Sequence, residues 1–465
     1  MNTRYVVFVS SVAAMGGLLF GYDTAVISGT VEPLRQHFSL DPLALGWVVG
    51  SALVGCVAGA AIAGKLTDVF GRRAVLWLSG LLFLLSGIWC YLSPSVGQLV
   101  AARILGGIGV GVASLLVPVY IAELSPPQSR GALVSLNQVA ILVGMVLSYL
   151  VNAWIGQLEN GDWLATAGWR LMLGAEAVPA LFFLVLSMRI PESPRWLLKR
   201  DRPDDAHRVL ELLHGEAAGQ RELEEIREAI SHEQGTVFEL LERGRRGTVV
   251  MAMVLALFQA ITGINIVMYY APTIFTSAGI GTGTALEQSV IIGLVMLVFT
   301  LGSMLLVDRV GRRPIMLLAA AGMGFSLTLL GMMFTTGGSN ASWLLTWILT
   351  YVSSFSIGMG GIYWVVVSEI FPTRVRGAAM SLSVVFLWGG NYLVSQFFPA
   401  MLATLHSRVF FVFALMCAVC FAFIWGFVPE TRGKTLEAIE QELFGSAPKS
   451  DSYCARVAHR AAGES

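Results

Sequence analysis

The sequence predicts an all-α membrane protein: twelve transmembrane helices in two pseudo-symmetric six-helix bundles, with a small cytoplasmic helical domain between them. Hydrophobic residues make up 55% of the 465 residues and charged residues only 13%, which is more apolar surface than a water-soluble core can bury. The apolar residues form segments of about 20 residues, the length that crosses a bilayer as a helix. Short motifs from the first half of the chain also recur in the second half.

The expected spans fall into two groups of six, which divide the chain into four parts. The spans cover residues 5–29, 45–66, 74–93, 97–123, 131–154, 167–190, 248–276, 287–307, 314–336, 343–370, 377–404 and 408–428. The parts are an N-terminal bundle at 1–190, a linker at 191–247, a C-terminal bundle at 248–428 and a tail at 429–465. No small-residue cleavage site follows the first span, so we expect a retained helix and not a removable signal peptide.

The linker and the loops give the orientation. Leu223, Ile226 and Ile230 recur at helical spacing in the charged linker, which predicts short amphipathic surface helices. Basic residues concentrate in alternate loops, in the linker and just past the last span. By the positive-inside rule both termini and the linker are cytoplasmic. We therefore expect a multi-pass protein of the cell membrane, in our interpretation the bacterial inner membrane.

Three motifs repeat in the same order at equivalent loops of the two halves. They pair "DVFGRR" (68–73) with "DRVGRR" (308–313), "AELSPPQSRG" (122–131) with "SEIFPTRVRG" (368–377), and "PESPR" (191–195) with "PETRG" (429–433). Such a match indicates a duplicated six-helix unit. Paired repeats place a substrate path along their interface, and rocking of one half against the other gives alternating access.

Three ionisable residues, Asp23, Arg103 and Glu176, lie well inside the expected spans. At about 1.5 Å per residue, Asp23 lies about 27 Å above the cytoplasmic start of its helix, and the other two can share that level. An arginine partner keeps an aspartate ionised, whereas burial favours the neutral form, so a balanced site can take up a proton. A static ion pair that fixes helix packing is the equally open alternative.

Acidic and basic residues also form a set at the cytoplasmic ends of the helices. The set comprises Asp68, Arg72, Arg73, Glu123, Arg130, Glu192 and Arg195 in the first half, and Asp308, Arg312, Arg313, Glu369, Arg376, Glu430 and Arg432 in the second. As solvated loop charges, these pairs contribute under about 1 kcal/mol each. Because the spacing repeats in both halves, we favour a latch that closes the cytoplasmic side when the path opens outward.

Other features exclude several classes of function. Cys417 and Cys420 form a CxxC motif with no second pair and no nearby histidine, so we interpret them as packing residues and expect no metal or cofactor. "GGIGVG" (106–111) lacks the spacing of a nucleotide-binding loop. A net charge of zero gives no indication of a nucleic-acid partner. No cluster of nucleophile, base and orienting group suggests an enzyme.

The motifs together resemble the sugar porter family of the major facilitator superfamily. The resemblance covers residues 5–443 and rests on the repeated motifs together with "GGLLFGYDTAVISG", "RILGGIGVG", "VPVYIAELSPPQSRG", "PESPRWLL", "GINIVMYYAP" and "PETRGKTLEAIE". It implies two six-helix bundles around a central cavity. It also implies that Asp23 is the proton acceptor, with Arg103 as its partner and Glu176 nearby, because passive members typically carry an amide at this position.

The same resemblance implies a set of sugar contacts. The matching positions are Gln138, Gln259, Asn265, Trp364 and Asn391, with Phe20, Tyr269, Tyr270 and Trp388 as aromatic lining and gates. Amides suit this role because they offer both donors and acceptors to hydroxyl groups. For any one of these residues, hydrogen bonding or packing between helices is the alternative.

This chain departs from the family pattern at five positions that would face the sugar. Polar residues are usual in sugar-transporting members at the positions of Ala260, Met296, Met145 and Leu387, and a proline is usual at the position of Gly361. Such a cavity should bind a hexose weakly, or prefer a ligand with fewer or differently placed hydroxyl groups.

These observations predict a secondary active transporter that imports a monosaccharide, a hexose or a pentose, by proton symport. The chain contains no nucleotide-binding segment, so the gradient must drive transport. A passive sugar uniporter and a polyol or inositol symporter are alternatives, and a membrane nutrient sensor is a further one. Each chain carries both halves of the path, so we expect a functional monomer embedded in lipid.

Overall fold

The computed structural model describes residues 3–158, 163–231, 246–336, 341–371 and 373–434. Within these ranges the chain is helical and has no β-strand. Eleven helical stretches there are long and apolar enough to cross a membrane. The last of them, Ala379–Phe427, contains two helices because the chain turns at His406–Arg408, where His406 has a φ of 50°. The predicted twelve spans are therefore confirmed.

We number the spans 1 to 12 and call spans 1–6 the N half and spans 7–12 the C half. They are Thr3–Phe38, Pro42–Phe70, Arg72–Leu92, Val96–Leu124, Arg130–Gly156, Leu164–Ser187, Arg246–Ser277, Thr282–Val310, Arg312–Thr335, Ala341–Glu369, Thr373–Leu405 and Val409–Phe427. Span 1 continues past its expected end at residue 29, and Arg35 pairs there with Glu32 at 2.7 Å. The helix outlasts its apolar run because polar side chains one turn apart stabilise the extension.

Three spans depart from a regular α-helix, span 6 at its start and spans 7 and 10 further along. Span 7 breaks at Gly263, whose φ of 98° is accessible to glycine at little cost. Spans 6 and 10 contain π-helical segments at Leu164–Gly168 and Ser356–Gly360. Interruptions of this kind occur frequently at functional sites, and the one in span 7 lies next to Asn265.

Short helices of the linker pack on the N half. Pro194–Lys199, Pro203–His214 and Glu216–Ser231 share a small core of Leu197, Ala206, Leu210 and Leu223, in line with the predicted amphipathic pattern. Residues 232–245 of the linker and 435–465 of the tail lie outside the described residues.

We call the end of the bundle that carries the linker the linker end, and the opposite one the far end. At the far end the halves touch: the Tyr149 hydroxyl donates to the Met268 carbonyl at 3.0 Å, and the Gln396 amide donates to the Leu43 carbonyl at 3.0 Å. Gly46 packs so tightly there that a Cβ would collide with the Gln396 carbonyl oxygen. A cavity of about 820 Å³ lies between the halves and extends to Thr67 and Arg72 at the linker end. The path is therefore closed at the far end.

Candidate functional site

A buried ion pair joins spans 1 and 4. Asp23 Oδ1 lies 2.7 Å from Arg103 Nη1, which also donates to the Asp23 carbonyl oxygen at 3.3 Å. The two residues are 1% and 2% exposed. Glu176 of span 6 is also buried and lies within hydrogen-bonding reach of Asp23. The structure thus brings together the three intramembrane charges of the sequence.

This charged cluster does not line the cavity. Phe20, Gly21 and Thr24 form the part of the cavity wall that span 1 provides, whereas Asp23 turns toward spans 4 and 6. One helix therefore presents its charge to the N-half interior and its neighbouring side chains to the cavity. Any influence of the charge on a bound ligand must pass through span 1.

The cavity wall contains most of the predicted sugar contacts. Those in the wall are Phe20, Gln138, Gln259, Asn265, Trp364, Trp388 and Asn391. Among the described residues, Tyr269 and Tyr270 are not part of this wall; Tyr270 instead donates to the Ser395 carbonyl at 2.9 Å. Their gating role stays a prediction.

Several polar atoms of residues in the wall have no hydrogen-bond partner within the described part of the chain. Gln259 Oε1, Asn391 Oδ1 and Trp388 Nε1 are buried and have no hydrogen-bond partner within the part of the chain that the structure describes. Buried polar atoms are nearly always paired, so such a set indicates a place where a ligand supplies the partners. The Trp388 ring also meets Phe20 edge-on across the two halves, with centroids 5.5 Å apart.

Sequence reasoning missed part of the wall. Asn137, Thr300 and Ser303 also line the cavity. Asn137 directly precedes Gln138, so the "NQ" pair was an available signal. Thr300 and Ser303 are three residues apart, the spacing of one helix face, but small hydroxyl residues are common inside transmembrane helices. Nothing in the sequence therefore distinguished these two.

The departures from the family pattern separate into two kinds. Met145, Met296, Leu387 and Gly361 line the cavity. Ala260 is completely buried. The Cβ of Ala260 lies so close to Gly390 of span 11 that a Cβ added to Gly390 would be only 2.9 Å from it. Ala260 is therefore a packing residue between spans 7 and 11 in this chain.

The linker end carries matching ion-pair clusters in the two halves. In the N half, Arg72 pairs with Glu123 at 3.1 Å and donates its backbone N–H to Glu192 at 2.8 Å. In the C half, Arg312 pairs with Glu369 at 3.0 Å and donates its backbone N–H to Glu430 at 3.0 Å. These ion pairs lie within each half and not between the halves.

The remaining members of the predicted latch occupy less central places. Asp68 lies 3.4 Å from Arg72 but its side chain is 69% exposed, and Arg130 donates to the Ser125 carbonyl at 3.4 Å. The backbone N–H of Arg432 donates to Glu430 at 2.9 Å. Arg195 follows Pro194 at the start of the first linker helix, and the side chains of Asp308 and Arg376 lie outside the described residues.

Glu192 belongs to this set, lies outside the membrane-spanning segments and is partly buried. Burial raises the pKa of its carboxyl group above the ordinary value of 4.5, although N–H donors from Ser193, Arg73 and Arg72 act in the opposite direction.

Twelve spans around a central cavity define a membrane transporter of the major facilitator type, and comparison with known proteins agrees. The family described as "Sugar (and other) transporter" matches residues 9–443. The chain is 41% identical to the D-xylose-proton symporter of Escherichia coli K12, over 94% of this chain and 96% of that protein. It is 38% identical to the arabinose-proton symporter of Bacillus subtilis 168, over 94% and 95%.

Solved structures give the same result. An inward-open conformation of the xylose transporter XylE from E. coli superposes with a TM-score of 0.85 at 39% identity, covering 94% of this chain and 100% of that one. XylE bound to 6-bromo-6-deoxy-D-glucose gives a TM-score of 0.79 at 39% identity, covering 95% of this chain and 100% of that one. The chain belongs to the sugar transporter family of the major facilitator superfamily and is not an enzyme.

Proposed function

We propose that this protein imports a monosaccharide, a hexose or a pentose, together with a proton by alternating access. The observation that carries the proposal is the buried cluster of Asp23, Arg103 and Glu176 directly behind the cavity wall. Symport of D-xylose and of arabinose by relatives of this similarity supports the choice of substrate and of coupling ion.

The charge balance of the cluster supports proton binding. The buried cluster holds two carboxyl groups and one guanidinium, so ionisation of both carboxyl groups leaves a net negative charge in a buried place, at high cost. A proton held by one of the carboxyl groups makes the cluster neutral. In this geometry Asp23 stays ionised because Arg103 contacts it at 2.7 Å, and it is the acceptor in this scheme because that stabilisation is lost when the contact lengthens. A movement of span 1 or span 4 that lengthens this contact favours protonation of Asp23.

Span 1 couples the proton to the sugar. Phe20 and Thr24 touch the cavity and bracket Asp23 on the same helix. A sugar that contacts Gln138 of the N half and Gln259, Asn265, Trp364, Trp388 and Asn391 of the C half draws the halves together. Span 1 moves with them and changes the separation of Asp23 and Arg103.

Alternating access exchanges one closed end for the other. In this state Tyr149 and Gln396 hold the far end closed. The described residues of each linker-end cluster form ion pairs with residues of their own half. When the linker end closes, the clusters approach each other and act as the latch. Both termini and the linker lie in the cytoplasm of a bacterial cell in this proposal, so the cavity is inward-facing, and one chain is the functional unit.

Uptake into proteoliposomes tests the proposal. Labelled D-xylose, L-arabinose and D-glucose are offered with an imposed inward proton gradient, without a gradient, and with a protonophore. We expect accumulation above the outside concentration only with the gradient. Equal filling in all three conditions identifies a passive uniporter, and movement of polyols without any monosaccharide contradicts the substrate assignment.

A further inference from the structure

One side of the cavity is formed by methionine side chains. Met145 of span 5, Met268 of span 7 and Met296 of span 8 all line it and are 3%, 7% and 7% exposed. We call these three residues the thioether wall. They come from both halves, so the wall belongs to the space in which a ligand is enclosed.

The position of the wall is fixed by the far-end contacts. The Tyr149 hydroxyl donates to the carbonyl of Met268, and the Tyr149 ring lies against Gly293 of span 8. Met145 precedes Tyr149 by one helical turn, and Met296 follows Gly293 by one turn. Both methionines therefore lie one turn nearer the linker end than the contact between Tyr149 and Gly293. The wall therefore forms the closed end of the cavity.

Thioether sulfur is a poor hydrogen-bond partner for a hydroxyl group. It accepts hydrogen bonds weakly and donates none, but it makes favourable contacts with apolar groups. Among the described residues of the cavity wall, the buried polar atoms without a protein partner are Gln259 Oε1, Asn391 Oδ1 and Trp388 Nε1 on spans 7 and 11 and Asn137 Oδ1 on span 5. A ligand is thus met by polar atoms of spans 5, 7 and 11 and, at the closed end, by thioethers.

We propose that the preferred substrate is a 6-deoxyhexose, a pyranose that carries a methyl group where a common hexose carries a hydroxymethyl group. This inference rests on the proposed monosaccharide transport and specifies its substrate. The ring hydroxyls contact the amides and Trp388, and the methyl group packs on the thioether wall. A hexose loses affinity because its 6-hydroxyl is buried there without a partner, and a pentose because it leaves part of the wall uncovered.

Three sugars that differ only at this position make the test. D-Glucose carries a hydroxymethyl group on C5, 6-deoxy-D-glucose a methyl group and D-xylose a hydrogen. Equilibrium binding to purified protein is measured by competition against labelled D-xylose. We expect 6-deoxy-D-glucose to bind about tenfold more tightly than D-glucose, with D-xylose between them.

Matched variants show whether the wall is responsible. Met296→Gln keeps the length of the side chain but adds an amide, so it should bring the ratio of the D-glucose and 6-deoxy-D-glucose dissociation constants close to one. Met304→Gln makes the same change two turns nearer the linker end of span 8 and should leave the ratio unchanged. Met145→Leu keeps the wall apolar and should also preserve it, which guards against a variant that merely folds poorly.

The outcomes separate this inference from the proposed function. If D-glucose binds as well as or better than 6-deoxy-D-glucose while sugars still accumulate with protons, the inference is wrong and symport stands. If 6-deoxy-D-glucose binds best but fills the vesicles without a gradient, the inference stands and proton coupling is wrong. If none of the three sugars binds or moves, both are wrong.

Discussion

The two halves of the molecule match at the linker end and differ in the interior. Arg72–Glu123 and Arg312–Glu369 are equivalent ion pairs, yet spans 7, 10 and 12 have no acid or base away from their ends to match the charges of spans 1, 4 and 6. The duplicated ion pairs serve a function that both halves share, namely contact between the halves when the linker end closes. An arrangement present in one half serves a single function.

The C half compensates with uncharged polar groups. Gln259, Asn265 and Asn391 line the cavity from spans 7 and 11, whereas Asn137 and Gln138 are the amides of the N half. We infer a division of labour in which the N half carries the proton and the C half supplies most of the sugar contacts. Four experiments test this comparison.

Asp23→Asn should have the largest effect. The amide has the same shape but cannot exchange a proton, so gradient-driven accumulation should fall at least tenfold, to the equilibrium level. Sugar counterflow, which needs no net proton movement, should continue. Glu32→Gln is the control because it removes an acid, 27% exposed, that lies on the same helix but outside the buried cluster. Full accumulation in Asp23→Asn would place the proton elsewhere.

Arg103→Leu should produce the largest loss of stability. It leaves two carboxyl groups buried without a cation, and breaking a buried pair from one side costs about 3–5 kcal/mol. Thermal unfolding in detergent measures the effect. The double variant Asp23→Asn with Arg103→Leu should recover much of the lost stability but not the coupling. If Arg103→Leu unfolds at the same temperature as the wild type, the N-half interior is not held together by charge.

The duplicated pairs allow a direct comparison of the halves. Glu123→Gln and Glu369→Gln should each destabilise the protein by about 1.5–3 kcal/mol, the range for hydrogen bonds to charged groups. The N-half variant should lose more, because the side chains of Arg72 and Glu123 are 8% and 9% exposed, against 13% and 22% for Arg312 and Glu369. Denaturant unfolding of the two variants side by side provides the measurement; a larger loss in the C half would reverse the order.

The smallest effect concerns the pH dependence of stability at Glu192. Burial raises the pKa of this acid in the folded protein above 4.5, so the folded state holds the proton more tightly than the unfolded state does. The contribution of Glu192 to stability is therefore greatest below pH 4.5 and declines as the pH rises through the raised pKa. The difference in unfolding free energy between wild type and Glu192→Gln should follow this course. A difference that grows with pH would contradict it.

Sequence patterns predicted those features of the molecule that depend on periodicity and on isolated charges. The twelve spans follow from apolar length, and the meeting of Asp23 with Arg103 follows from depth and from the cost of an unpaired charge. Patterns did not predict the continuation of span 1 to Phe38 or the packing of Ala260 on Gly390. Both depend on which faces of neighbouring helices touch, and a single helix pattern does not contain that information.

Tyr269 illustrates the same limit within the site. The preceding residue, Met268, lines the cavity, whereas the Tyr269 ring does not. The thioether wall was visible in the sequence only as scattered methionines, because its three members are brought together by spans 5, 7 and 8. The position of each site residue along the chain was predictable, whereas the direction in which its side chain points from the helix was less so.

The close contact between Gly46 and the Gln396 carbonyl oxygen affects the balance between the form closed at the far end and the form open there. Every cycle must separate and rejoin these two backbones, and even a methyl group at position 46 acts as a spacer that hinders rejoining. Gly46→Ala is therefore a one-residue means of enriching the form that is open at the far end. Such a preparation would serve for imaging that form or for raising an antibody that recognises it alone.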